Sequence, residues 1–173
     1  DQMARGLQED VNTLLGSGNM QPVESDFASD SFVIDLPMEP MPLSYFAEKI
    51  DYHISPPENP NLENAKRIAS GGYDSMPRSL PLHCQTLRLS KDLFVATVGG
   101  EPCFPVKELV RSAFAGLNLC FIGYTDACAY VVSDDMLEEG GYEPNAFLEY
   151  GLIGPFEKGL DKKYRNSFQD SRK

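Results

Sequence analysis

LFVATVGGEP at residues 93–102 and NLCFIGYTDACAYVVSDDMLEEGGYE at residues 118–143 decide the fold. The first is a short apolar run ending at Gly99-Gly100, the mark of a strand meeting a turn. Between the two segments, Val106, Leu109, Val110, Ala113 and Phe114 recur at helical spacing, which predicts a one-sided helix over 104–115. NLCFIG (118–123) is again strand-like. Strand, helix and strand in this order make a β-α-β unit, with parallel strands and a right-handed crossover. Ligands in open α/β sheets bind at the C-terminal edge of the strands. The pattern brings Glu101, Tyr124, Asp126, Tyr130 and Tyr142 to that edge. A carboxylate among phenols there points to a metal or a polarised carbonyl.

Outward from this unit, 82–89 and 93–98 read as strands joined by Ser90-Lys91-Asp92, a connection short enough for an antiparallel hairpin. FVIDL (32–36) is a further short strand. Met3, Leu7, Val11, Leu14 and Leu15 form a helical stripe over 3–15, closed by Gly16-Ser17-Gly18. Residues 43–54 read as a helix with Ser44 as its N-cap, and 61–69 as another, stopped at Gly71-Gly72. A helical turn over 133–139 starts at Ser133, and a last helix begins at about Pro155. The expected fold is α/β: a mixed sheet with a hairpin and a β-α-β unit flanked by helices, part of a larger layered domain.

A chain of 173 residues is long enough for one domain with a real core. Its net charge of −11 and scattered Lys and Arg argue against a nucleic-acid partner. The one basic cluster, Lys162, Lys163, Arg165, Arg172 and Lys173, reads as a solvated, frayed C-terminal helix. No apolar run reaches the ~18 residues that span a bilayer, and no signal-peptide pattern opens the chain. The chain begins at Asp1 inside a helical pattern, which suggests a processed or truncated product. Cys84, Cys103, Cys120 and Cys128 form no CxxC pair, which argues against a thiolate zinc site. Cys120 reads as a small core residue, and the four leave room for one disulfide whose pairing is open.

On local sequence alone, the favoured reading of Glu101 is a cap on the helix beginning near Phe104, where a carboxylate meets the positive end of the dipole. Tyr130 and Tyr142 read first as core tyrosines with satisfied hydroxyls, and Asp126 as an Asx-turn residue. His53 and His83 lack a spaced partner and read as structural or surface residues. A GxSxG elbow, a Walker A loop and a GxGxxG turn are all absent.

Gly99-Gly100-Glu101-Pro102, then Gly123-Tyr-Thr-Asp-Ala-Cys-Ala-Tyr130, then Glu138-Glu139-Gly140-Gly141-Tyr142-Glu143 resemble the distal part of the catalytic domain of neutral/alkaline ceramidases and their bacterial relatives. The resemblance covers about residues 80–155, and the helix at 3–15 is similar to one following that family's nucleophile segment. It implies a zinc amidase, with Glu101 and Tyr130 as zinc ligands and Tyr142 bonding the substrate carbonyl or its oxyanion. Tyr124 and Asp126 would contact substrate. Zinc accepts carboxylate and phenolate oxygens, and an open position on it polarises an amide or activates water. The family pattern differs at Gly100, Asp126 and Cys128. Its histidine ligands and serine nucleophile, which lie upstream, have no match here.

The expectation is therefore that residues 1–173 are the C-terminal portion of a ceramidase-like α/β catalytic domain that hydrolyses an N-acyl amide, of ceramide or a related amphiphile, when complete. The chain alone would be inactive and would need its missing half or an oligomer. The resemblance also implies a secreted or periplasmic setting. Two rival readings are a non-catalytic or retuned member that binds a carbohydrate or cell-wall ligand, and a metal-free α/β interaction module.

Overall fold

The computed structural model describes residues 2–51, 60–126 and 129–172. Among them, β1 (Ala28–Pro37), β2 (Ser79–Arg88), β3 (Leu93–Val98) and β5 (Asn118–Ile122) form a mixed sheet in the order β1-β2-β3-β5. β1 and β2 pair antiparallel from Ala28↔Arg88 to Pro37↔Ser79. β2 and β3 are the expected hairpin, its turn tied by a 2.8 Å hydrogen bond from Ser90 Oγ to Asp92 Oδ1. β3 and β5 run parallel from Leu93↔Asn118 to Thr97↔Ile122, with α4 (Phe104–Ala113) as the crossover. The α/β reading holds. β1 is longer than the FVIDL core suggests, because polar Ser29, Asp30 and Ser31 also pair with β2.

Alternation along the strands sends Ile34, Leu36, Leu82, Cys84, Phe94, Ala96 and Val98 to one face. There they meet Val106, Val110 and Phe114 of the α4 segment and Tyr164 and Phe168 of α7 (Leu160–Asp170) in one core. Phe168 packs edge-on to Phe32 and Phe114, with ring centroids 5.1 and 6.3 Å away. Each such fully buried side chain stabilises the fold by about 1.5–3 kcal/mol. The C-terminal helix is thus no frayed tail. Its basic residues point outward, Leu160, Tyr164 and Phe168 lock its inner side, and Arg172 bonds the carbonyl of Ala113. It also starts later than expected, at Leu160, because Phe156 is held in a bridge to Met38.

The other face of the sheet is open to solvent. Val33 is 50% and Ile122 43% exposed, and Cys120, expected in the core, lies exposed between Asn118 and Ile122. An apolar run on a two-sided strand is consistent with burial on both faces; here one face is covered. Cys84, Cys103 and Cys120 are free thiols, so no disulfide joins any two of them.

α1 (Gln2–Gly16) buries no side chain, and Met3 and Leu7 of its apolar stripe are 88% and 67% exposed. α2 (Leu43–Asp51) begins one residue before Ser44, which therefore sits in the first turn rather than at the cap. Residues 52–54 of the expected helix and His53 lie outside the described residues. α3 (Pro60–Arg67) ends in a wide turn at Ile68–Gly72. Asn64 Nδ2 donates to the carbonyls of Leu148 and Glu149, 2.9 and 3.2 Å away, and so fixes the turn carrying Tyr150.

Candidate functional site

β3 ends at Val98, and Glu101 belongs to a new two-residue strand, β4 (Glu101–Pro102). It pairs in parallel with β6 (Tyr130–Val131), in the register Glu101↔Tyr130. Backbone bonds clamp both ends of this small ladder: Glu101 N–H to Ala129 O at 2.7 Å, and Cys103 N–H to Val131 O at 2.9 Å. Gly123 is needed beside it, since a Cβ there would lie 2.7 Å from the Pro102 ring. Glu101 is therefore a strand residue and not a helix cap. The residue at the N-terminus of α4 is Cys103, which makes no side-chain cap bond.

Partners on parallel neighbouring strands stand about 4.8 Å apart and share a face, so the carboxylate of Glu101 and the phenol of Tyr130 are neighbours. Each has a further phenol beside it. Tyr124 donates to Glu101, and this bond is the main reason the Tyr124 hydroxyl holds its proton above the ordinary range. Tyr150 bonds to Tyr130; burial first, then Tyr130, pushes the Tyr150 hydroxyl up. The rings of Tyr142 and Tyr150 stand edge-on to Tyr130, with centroids 5.8 and 5.7 Å away.

Ser133 caps α5 (Asp134–Glu139), as its place in the sequence predicts, accepting from Met136 N–H. Gly140 and Gly141 then reverse the chain into α6 (Tyr142–Asn145), which carries Tyr142 back to Tyr130. Tyr142 is not a core residue. It is 57% exposed and donates a 2.8 Å hydrogen bond to Glu149 Oε2, which raises the proton affinity of its hydroxyl. Cys103 lies at the edge of the cluster; burial, then the charges of Glu143 and Glu101, pushes its thiol to about 11.

Glu101, Tyr124, Tyr130 and Tyr142 thus come together. Asp126 does not join them: its Oδ2 lies 3.9 Å from His83 Nε2 on the open face of the sheet. Tyr124 adopts φ 59°, a costly conformation for a non-glycine residue. Tyr150 and Glu149 are site residues that sequence reasoning missed, since they sit in a tight turn at Ala146–Tyr150 without a motif. His83 was missed because its partner lies on a distant segment.

Among the described residues, no group of three or more His, Cys, Asp and Glu is placed to hold a metal ion. The cluster offers one carboxylate, that of Glu101, among the phenols of Tyr124, Tyr130, Tyr142 and Tyr150. No described helix is long and apolar enough to cross a membrane. The chain matches no protein-family model, no curated protein and no solved structure.

Proposed function

We propose that the β4–β6 edge is one side of a zinc amidase site of the ceramidase-like kind, acting on an N-acyl amide. The observation that carries this is the register Glu101↔Tyr130, with the phenols of Tyr124 and Tyr150 beside the two oxygens. Partners of this kind orient metal ligands and fix which oxygen faces the ion. Glu101 and Tyr130 would hold the zinc. The metal would supply an electrophile for the amide carbonyl and an activated water. Tyr142, exposed and still protonated, would donate to the developing oxyanion once substrate displaces Glu149.

Two oxygens do not complete a tetrahedral site. The remaining ligands and the nucleophile would come from a covering layer, in the same protein or in a companion chain. The open sheet face supports this need, because parallel strand pairs such as β3–β5 are ordinarily covered on both sides.

Zinc titration of this chain by calorimetry tests the ligand pair. Weak, chelator-reversible uptake of zinc should be lost in Glu101→Gln and in Tyr130→Phe. Equal uptake by wild type and both variants would overturn the assignment.

A further inference from the structure

The open face of the sheet carries a second feature that the zinc edge does not use. Gln85 on β2 is the register partner of Ser31 on β1 and of Thr97 on β3, so three hydrogen-bonding side chains lie in a row across the face. Gln85 Nε2 donates to Ser31 Oγ at 3.3 Å. His83, the next outward residue of β2, faces Asp126 at 3.9 Å, and Thr125 adjoins it in the turn. These six residues, with Phe32, Val33 and Cys84, line a groove of about 370 Å³, at the small end of the range for ligand sites. Gly99 lies against the His83 backbone at the end of this groove; a Cβ there would lie 3.3 Å from the carbonyl of His83 and in ordinary contact with Asp126.

The chemistry of the lining selects the ligand. It holds one carboxylate and no Lys or Arg, so an anion such as phosphate is disfavoured. An acyl chain would meet only Phe32, Val33 and Cys84 and would leave the hydroxyls, the amide and the imidazole without partners. Neighbouring hydroxyls, each both donor and acceptor, match this set. The groove is also joined to the zinc edge. Asp126 lies two residues after Tyr124, which bonds Glu101, and Gly99 lies two residues before Glu101. Tyr124 is 72% exposed, so its ring offers an apolar face between the two places.

We propose that this groove binds the hydroxyl-bearing head of an N-acylated amino sugar, with the amide directed to the Glu101–Tyr130 edge. The hydroxyl half rests on the groove alone; the amide half rests on the amidase reading. An amide flanked by hydroxyl-bearing carbons also occurs in open-chain amino alcohols, and the test separates the two sources.

The isotope-labelled chain is titrated by NMR in chelator-containing, metal-free buffer with N-acetylglucosamine, N-acetylserinol and butyramide. N-acetylglucosamine should give saturable shifts at His83, Gln85, Thr97 and Asp126, N-acetylserinol should bind at least about tenfold more weakly, and butyramide should leave these residues unmoved. His83→Ala and Gln85→Ala should each weaken the sugar by about tenfold, the effect of one lost hydrogen bond. Both residues lie on the solvent-facing side of β2, and the spectrum of each variant reports whether the fold is kept. Absence of saturable shifts, or equal affinity in wild type and both variants, would overturn the proposal. Equal binding of N-acetylserinol would overturn the sugar in favour of an open-chain head. Because the titration is metal-free, loss of the zinc assignment leaves these outcomes unchanged, and a groove that stays silent leaves zinc uptake unchanged.

Discussion

Glu101 and Tyr130 face each other across a parallel ladder only two residues long. Such a ladder has little stability of its own. It persists because Gly123 lets Pro102 pack closely, and because the backbone bonds of Glu101 and Cys103 close both ends. Two polar groups held this firmly at the mouth of an α/β sheet are preorganised for a ligand.

Tyr150 should govern how well that ligand is held. Its half-buried ring stands edge-on to Tyr130, on a turn fixed through Asn64. Tyr150→Phe keeps the ring and removes the donor. Zinc affinity, measured by competition with a chelating dye, should fall by about 10–100-fold, as for other outer-shell partners. An unchanged affinity would remove Tyr150 from the site.

Tyr142 makes a different prediction. It is exposed and bonded to Glu149, so losing its hydroxyl opens no gap in the core. On the proposed amidase reading, Tyr142→Phe should lower turnover in the zinc-loaded protein with its covering layer by about a hundredfold or more, while zinc content and melting temperature stay nearly unchanged. A normal rate would exclude it from oxyanion stabilisation.

Phe168 tests the packing of the C-terminal helix. It is fully buried between Phe32 and Phe114. Phe168→Ala should cost about 3–5 kcal/mol in urea unfolding, comparable to the whole stability of a small domain. A loss under 1 kcal/mol would restore the picture of a frayed tail.

These results show where the sequence was legible. The β3–α4–β5 unit was readable because Val106, Val110 and Ala113 keep a helical period between two apolar runs. Cys120 was misread because NLCFI looks the same whether one face is covered or two. The last helix was placed early because Pro155 resembles a helix start, whereas Phe156 is claimed by Met38. Of the site, Glu101, Tyr124, Tyr130 and Tyr142 were visible through their motif spacing. Tyr150 was not, since tertiary folding alone brings it to Tyr130, and Asp126 stands beside His83 rather than with the cluster where its motif puts it.

The open face predicts association. Cys120 and Ile122 expose an apolar surface at the β5 edge of the sheet, and α1 exposes Met3, Leu7 and Leu14. Such patches and uncovered sheets are association hazards. The chain should sediment as a concentration-dependent mixture, and Leu7→Lys with Ile122→Lys should shift it toward monomer. A monodisperse wild-type monomer would contradict the need for a covering layer.

The buried thiol of Cys84 predicts an alkaline limit to stability. Burial pushes it from an ordinary value of 9.0 to about 12, opposed in part by a bond from the Gly99 backbone. The folded state therefore keeps this proton where the unfolded chain has released it. The resulting stability is fully present below pH 9 and is lost as pH rises toward about 12. At ordinary thiol energetics the loss amounts to about 4 kcal/mol across that window. Tyr150 and Tyr164 are also held protonated above their ordinary range, mainly by burial, so the comparison must be with a variant. Cys84→Ala lowers stability at pH 7 by leaving a cavity, yet its stability should fall less steeply between pH 9 and 11 than that of the wild type. Parallel pH profiles for the two proteins would show that Cys84 does not carry the effect. The thiols should differ in the same sense in their chemistry. Because the thiolate is the reacting form, exposed Cys120 should alkylate well before Cys103 and Cys84 at pH 8, in peptide mapping of the folded chain.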